Sequence, residues 1–279
     1  MRKLRLHILG NLIAYVLIIF MALLNGCSDS GSGPLDINMF SVEDDVALGR
    51  QLDSSIRNNP KEYPILNNQA ATSYLQAMVN EIIKSPEIKY KDQYFTYKVT
   101  IINDPNTVNA FSLPGGYVYV YTGLIKFLDN EATMAAVLGH EIAHAELRHA
   151  TKRMTKYYGV SVLLNLLLGN NPSQLEEIGA NLLTGLGFLA NSREDEYQAD
   201  EYSFKYLMSS IWYPGATIYF FDKINENKDA GFLATLLSTH PLPQDRIDAV
   251  NKLIKDANLA PPTETNLRSK EWVEYKKLF

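Results

Sequence analysis

The stretch VLGHEIAHAELRHA, residues 137–150, holds three of the five histidines of the 279-residue chain. Its continuous run of residues without proline predicts a helix. Residues four apart lie on the same helix face, one turn along, so His140 and His144 project side by side and can share one metal ion. Glu141 lies about 100° round from His140, close enough to act on a water at that ion. His-Glu-x-x-His is the helical zinc-peptidase signature, whereas the alternative is a charged helix face with nothing bound.

The third histidine of the stretch does not fit the same pattern. On a straight helix His149, nine residues after His140, points about 180° away from it. We therefore expect that His149 is not the third ligand, and that this ligand comes from another part of the chain.

The stretch NSREDEYQADEYSFKYL, residues 191–207, offers that ligand. Glu196 and Asp200 are again four apart, so they share a helix face. A Glu196 carboxylate completes a site of two histidines and one glutamate, with a fourth position open for water as catalytic zinc requires. Asp200 is placed to accept an imidazole N–H from a ligand histidine. Ala199 is small enough for two helices to approach closely. The competing interpretation is a solvated acidic run.

Composition limits the possible functions. The chain is 46% hydrophobic and 20% charged, which is an ordinary globular balance, and its formal net charge of −5 argues against a nucleic-acid binder. The remaining helical and strand patterns predict few strands and many helices. The fold class is therefore α+β, a predominantly helical domain with a small β-sheet. Two apolar stretches, VSVLLNLLL and IGANLLTGLGFLA, are too short to span a membrane and are interpreted as buried core helices.

The first residues are predicted to be a targeting segment. Arg2, Lys3 and Arg5 precede an apolar run from Leu12 to Leu24, shorter than the about 20 residues that span a bilayer. The run ends in Leu-Asn-Gly-Cys, which resembles a lipobox with Cys27 as the lipidated residue. Residues 1–26 are thus predicted to be a lipoprotein signal peptide and 27–37 a flexible tether. The alternative is a stray buried thiol behind an ordinary signal peptide.

Taken together, His140-Glu141-x-x-His144 and Glu196-x-x-Ala199-Asp200 resemble the gluzincin metallopeptidases of the HtpX and CAAX prenyl endopeptidase type. NAFSLPGGYVYVYTGLI, residues 109–125, is similar to the element that precedes the zinc helix in that family, and HPLPQDRI, residues 240–247, is similar to its C-terminal motif. Without further spanning helices the chain resembles the soluble periplasmic BepA- and LoiP-like branch. The repeat domain of the BepA-like proteins is expected to be absent. The catalytic domain is placed at residues 38–258, and residues 259–279 are predicted to be a surface-lying tail.

The resemblance implies a zinc endopeptidase with one Zn²⁺ per chain, anchored by lipid in the bacterial envelope and facing the periplasm, with Ser28 after the cysteine resembling an outer-membrane address. Glu141 would take the proton of the attacking water and deliver it to the leaving amine. Substrates would be unfolded or misassembled envelope polypeptides whose backbone pairs with the strand at Tyr117, Val118 and Tyr119. Asn109 and Ala110 are candidate backbone contacts. Ordinary sheet structure is the alternative for all five residues.

Two questions remain open at the level of sequence. His240 would either donate a hydrogen bond to the oxyanion or occupy the open fourth position on zinc as a latch, unless it is a plain surface residue. The competing functions are a latent protease fold that acts as an envelope chaperone or assembly factor, and a zinc aminopeptidase. The intact Glu141 and histidines count against the first, and the second lacks recognition elements for a free N-terminus.

Overall fold

The computed structural model describes residues 37–158, 191–227, 231–241 and 244–279. The predicted signal peptide, Cys27, nearly all of the predicted tether, and the apolar stretches VSVLLNLLL and IGANLLTGLGFLA lie outside the described residues. From Asn38 onward the chain forms a single unit. Numbered over the described residues, its elements are α1 (Val42–Arg57), α2 (Gln69–Ile82), β1 (Lys98–Ile102), β2 (Ala110–Leu113), β3 (Tyr117–Tyr121), α3 (Thr122–Phe127), α4 (Glu131–Glu146), α5 (His149–Tyr158), α6 (Arg193–Leu207), α7 (Thr217–Glu226), α8 (Ala234–Thr239), α9 (Gln244–Asp256), α10 (Glu264–Leu267) and α11 (Ser269–Lys276).

The prediction of an α+β, mainly helical fold is confirmed, because the described strands form one three-stranded sheet with the order β1-β3-β2. β3 lies parallel to β1 and antiparallel to β2. The β2–β3 turn passes through Gly115 and Gly116, whose φ angles of 80° and 90° are costly for residues with a Cβ. In the order β1-β3-β2, β2 is an outer strand with one unpaired edge, whereas β3 is paired on both sides.

In the part of the chain that the structure describes, no helix is long and apolar enough to cross a membrane.

Helix α4 lies at the centre of the fold, and every one of its residues is buried. Its N-cap is Asn130, whose side chain accepts a hydrogen bond from Thr133 N at 2.8 Å. Its main partner is α6, and it also contacts β2, α2 and the C-terminal helices. A Cβ built on Gly139 would lie 2.7 Å from Ser203 Oγ, so a glycine is needed for α4 and α6 to approach this closely. Ala199, predicted to permit such an approach, is fully buried.

The C-terminal segment, residues 259–279, is attached to the core by its aromatic residues. Trp272 is fully buried and its Nε1 donates to Leu128 O at 3.0 Å. Arg268 Nε donates to Glu131 at 2.9 Å, at the first residue of α4. Trp272 and Tyr275 are the buried residues of this segment, and the others are exposed or half-buried, so two aromatic side chains anchor it to the core. The last helices thus hold the beginning of the helix that carries His140.

Candidate metal centre

The two histidines of α4 converge on one point. Their rings lie one turn apart with centroids 4.6 Å from each other, and His140 Nε2 and His144 Nε2 are 2.9 Å apart. Helix α6 brings a carboxylate to the same point. It begins with a capping box between Ser192 and Asp195, so that Glu196 stands in the first turn, fully buried against α4.

The donor atoms fit a metal ion. Glu196 Oε2 lies 3.4 Å from His140 Nε2, and Glu196 Oε1 lies 3.3 Å from His144 Nε2. These separations match the edge of about 3.4 Å expected for a tetrahedron with zinc–ligand bonds of about 2.0–2.1 Å. With His240 added, four buried residues offer ligand atoms that all lie within 4.8 Å of one another. The residues present therefore fit a zinc ion.

Glu141 lies beside this cluster and contributes to two cavities. One is a cleft, here called the β2 cleft, which is lined by residues of β2, by the zinc-helix residues Glu141 and His144, and by Asn191 and Arg153. The other, here called the apolar pocket, also includes Glu141 and is lined mainly by Ala110, Val137, Phe220, Phe221, Ile224 and Leu236. A carboxylate that borders two cavities can exchange a proton with a molecule that enters either one.

On one side of the cluster, buried charges support His140. Its Nδ1 lies 2.9 Å from Asp200 Oδ1. Arg246 donates two hydrogen bonds to the Asp200 carboxylate, at 2.7 and 2.8 Å, and its Nη1 lies 2.6 Å from Glu196 Oε2. Arg246 also donates to Pro241 O at 2.9 Å, so the same guanidinium holds the chain next to His240.

These charges shift the pKa values of the groups around them. Burial opposes the charged form of His140, but the negative charge of Glu196 and the hydrogen bond to Asp200 raise its pKa to about 10. Burial works against ionisation of Glu196 and Asp200 as well, yet their cationic neighbours hold both pKa values below the usual range. Without a metal, the site therefore contains two carboxylates compensated by Arg246 and by an imidazolium at His140.

His149 lies on the other side of the cluster, and its position differs from the one predicted. The helix does not continue straight, because α4 ends at Glu146 and Arg148 adopts a left-handed φ of 59°. This bend turns His149 back until its Nδ1 lies 2.8 Å from His144 Nδ1. Burial lowers the pKa of His149 to about 4, so the ring is neutral at pH 7. His149 is not in the group of convergent donors, but it does contact one of them.

His240 caps the end of α8 and is buried next to the other donors. Its Nδ1 lies 3.0 Å from Glu196 Oε1 and 3.4 Å from His140 Nε2, and its Nε2 lies 3.5 Å from Glu141 Oε1. The prediction of a plain surface residue is excluded by this position.

The structure places the predicted substrate residues in different parts of the sheet. Tyr117, Val118 and Tyr119 lie in β3, whose two edges are both paired, so the prediction that this strand pairs with a substrate backbone is wrong. Ala110 begins the edge strand β2 and also lines the apolar pocket. Asn109 is fully buried, and neither its side-chain nitrogen nor its oxygen has a hydrogen-bond partner in the described structure.

Several residues near the cluster were not predicted from sequence. Arg246 lies within the HPLPQDRI motif but had no assigned role, although a buried arginine near two carboxylates is a common arrangement. Asn191 Nδ2 lies 3.2 Å from both His144 Nε2 and His240 Nδ1. Its position depends on where α6 begins, because it lies just before the N-cap residue Ser192, and helical spacing gives no signal for it.

A small sheet beside a central helix with two convergent histidines, joined by a carboxylate from a second helix, is the arrangement of a helical metallopeptidase domain. The family model described as Peptidase family M48 matches residues 69–254, and the chain belongs to that family. Among its relatives, the mitochondrial metalloendopeptidase OMA1 of Arabidopsis thaliana is 29% identical over 247 residues, covering 85% of this chain and 44% of the relative.

Bacterial relatives show the same degree of similarity. The beta-barrel assembly-enhancing protease of Yersinia pestis is 28% identical over 223 residues, covering 76% of this chain and 44% of the relative. The protein of the same name from Escherichia coli is 26% identical over 225 residues, covering 74% and 44%. The chain thus spans less than half the length of these curated relatives.

Proposed function

We propose that the chain is a zinc-dependent endopeptidase of the bacterial envelope that cleaves misfolded or unassembled proteins. The observation that carries this proposal is the convergence of His140, His144 and Glu196 next to a buried Glu141 that faces the β2 cleft. The names of the bacterial relatives, which describe proteases that enhance β-barrel assembly, support the substrate class.

In this proposal His140, His144 and Glu196 hold one Zn²⁺. When bound, zinc polarises the scissile carbonyl and lowers the pKa of a water at the site to about 7. Glu141 then accepts a proton from the attacking water and delivers it to the leaving amine. Asp200 and Arg246 keep the His140 ring oriented, and the apolar pocket takes up an apolar substrate side chain next to the scissile bond.

We assign the pairing of the substrate backbone to β2. Among the described strands, β2 has an unpaired edge, and its residues line the cleft that contains Glu141 and His144. An extended polypeptide can add to such an edge through main-chain hydrogen bonds, which recognise conformation more than sequence. Unfolded chains satisfy that requirement, whereas folded domains do not. Ala110 begins this strand and lines the apolar pocket, which also includes Glu141.

The central experiment separates the proton carrier from the ligands. In Glu141→Gln we expect zinc content and fold to be retained while cleavage of casein falls by about 10²–10⁴-fold. His144→Ala should lose both zinc and activity, and Glu43→Gln, an exposed change on α1, should behave as the wild type. Cleavage that survives Glu141→Gln would contradict catalysis by this chain and would leave the assembly-factor function as the better explanation.

For His240 we propose the latch rather than the oxyanion donor. Its Nδ1 lies within 3.0–3.4 Å of two of the proposed ligands, a position that occupies the open side of the metal site. His240→Ala should therefore raise the basal cleavage rate, with little change in zinc content. A fall in turnover would instead support stabilisation of the oxyanion.

We also propose attachment to the membrane through a lipid on Cys27, with residues 1–26 removed, and a position in the outer membrane facing the periplasm. The support is the lipobox-like sequence and the serine that follows it. Cys27→Ser should leave the precursor unprocessed and change its membrane fractionation. Normal maturation of that variant would contradict the lipid anchor.

A further inference from the structure

The contact between His144 and His149 restricts where each ring carries its hydrogen. The two Nδ1 atoms are 2.8 Å apart, so one ring donates an N–H and the other accepts it. His144 can bind a metal through Nε2 only with a free lone pair there, which places its hydrogen on Nδ1. His149 must then accept through Nδ1 and, being neutral, carries its own hydrogen on Nε2.

The next contacts favour the same arrangement. His149 Nε2 lies 3.2 Å from Gln198 Oε1. The orientation of the Gln198 amide is fixed in turn, because its Nε2 donates at 2.9 Å to Glu194 Oε1, and a carboxylate can only accept. The amide oxygen must therefore face His149. A second carboxylate oxygen, Asp195 Oδ1, lies 3.9 Å from His149 Nε2 and favours a hydrogen there as well.

We propose that Glu194, Gln198 and His149 form a hydrogen-bond relay that holds His144 in the form with its hydrogen on Nδ1. This proposal rests on the proposed zinc site. The relay begins at an exposed carboxylate and ends at the Nε2 lone pair of a ligand histidine. His149 is a positioning residue in it, since it acts on the metal only through His144.

The geometry explains why the relay needs the bend after α4. His149 reaches His144 Nδ1 because Arg148 adopts a left-handed conformation and starts a new helix. Glu194 and Gln198 are four residues apart on α6, where side chains of one face meet. The same helix carries Glu196, so the third ligand and the relay are positioned together.

The test uses the full chain and measures zinc affinity by competition with a chelator, together with ¹⁵N NMR of the histidine rings. We expect His149→Leu to weaken zinc binding by about 10–100-fold. Gln198→Leu, at a half-buried position where folding is less at risk, should weaken it less but measurably. Gln198→Glu keeps an acceptor for His149 Nε2–H although it loses the hydrogen bond to Glu194, so it should bind zinc more tightly than Gln198→Leu.

The NMR measurement gives a readout that a merely structural role would not move. In the zinc-loaded wild type His149 should be neutral with its hydrogen on Nε2, and Gln198→Leu should reduce that preference. A hydrogen on Nδ1 of His149, or equal zinc affinity in Gln198→Leu and Gln198→Glu, would overturn the relay while leaving the zinc site intact. A wild type that fails to bind zinc would instead overturn the proposed function, and the relay with it.

Discussion

The two histidines of α4 are one turn apart, yet they are supported in different ways. His140 donates to Asp200, which is held by two hydrogen bonds from Arg246, and all three groups are buried. His144 instead contacts the neutral ring of His149. Beyond that ring lie the buried carboxylate of Asp195, 3.9 Å from His149 Nε2, and the exposed carboxylate of Glu194. Both arrangements direct an Nε2 atom to the same place.

The two kinds of support have different effects: one changes the basicity of His140, and the other fixes the position of the hydrogen on His144. The buried charges on the His140 side make that imidazole strongly basic, so a metal must compete there with a proton. On the neutral side the group at His144 Nδ1 is an uncharged ring, which controls only the position of the hydrogen. A charged group directly against His144 Nδ1 would add to the desolvation cost, which ion pairing recovers only with well-formed hydrogen bonds.

The largest effect on stability is expected from removing Arg246, the buried cation on the His140 side. Arg246→Met leaves the carboxylates of Asp200 and Glu196 buried without their guanidinium, which should lower the free energy of unfolding by about 3–5 kcal/mol. Urea denaturation of the chelated protein would measure the change. Arg153→Met is the matched control, because Arg153 is also largely buried but contacts Asp195 only at 3.4 Å. Equal losses in the two variants would mean that the charged side has no special importance.

A change at the contact between α4 and α6 should have an intermediate effect, and it should disturb the groups that support His140 and His144 together. In Gly139→Ala the new Cβ meets Ser203 Oγ at 2.7 Å, so either that hydroxyl gives up its hydrogen bond to Ala136 O or α6 shifts, and the free energy of unfolding should fall by about 1–3 kcal/mol. Because α6 carries Glu196, Asp200 and Gln198, zinc affinity should fall as well.

Adding Ser203→Ala to that variant removes the atom in conflict, although it also removes a 2.8 Å hydrogen bond to Ala136 O. The double variant should therefore be more stable than the sum of the two single changes implies. Strict additivity would show that the contact between Gly139 and Ser203 does not set the distance between the helices.

The sequence predicted the parts of the site that depend on helical spacing. His140 and His144 share one face of α4, and Glu196 and Asp200 share one face of α6, because residues four apart lie on the same side of a helix. The packing of α6 against α4 then brings the two pairs together. His149 was misplaced because the left-handed conformation of a single residue changed the direction of the chain.

The order of the strands could not be predicted from the local sequence pattern for a similar reason. The alternation in residues 117–121 identifies a strand but does not tell which neighbours pair with it, so an interior strand was taken for an edge. The burial of Trp272 and Tyr275 likewise depends on residues far away in the sequence, since they donate to Leu128 O and Ala71 O. Long-range contacts of this kind leave no periodic signal in the segment itself.

The smallest effect on zinc affinity is expected at Glu194, the exposed end of the relay. It is also the most sensitive test of the difference between the supports of His140 and His144. Glu194 is exposed, so Glu194→Gln should change zinc affinity by no more than about threefold, because water and ions screen a surface charge. The effect should vanish at about 1 M salt, where the screening length is about 3 Å. Asp200→Asn, by contrast, should weaken zinc binding by about 10–100-fold at every salt concentration, since the carboxylate is buried. If the two variants showed the same salt dependence, the two histidines would not be supported by different chemistry, and the distinction between a charged and a neutral side would have to be given up.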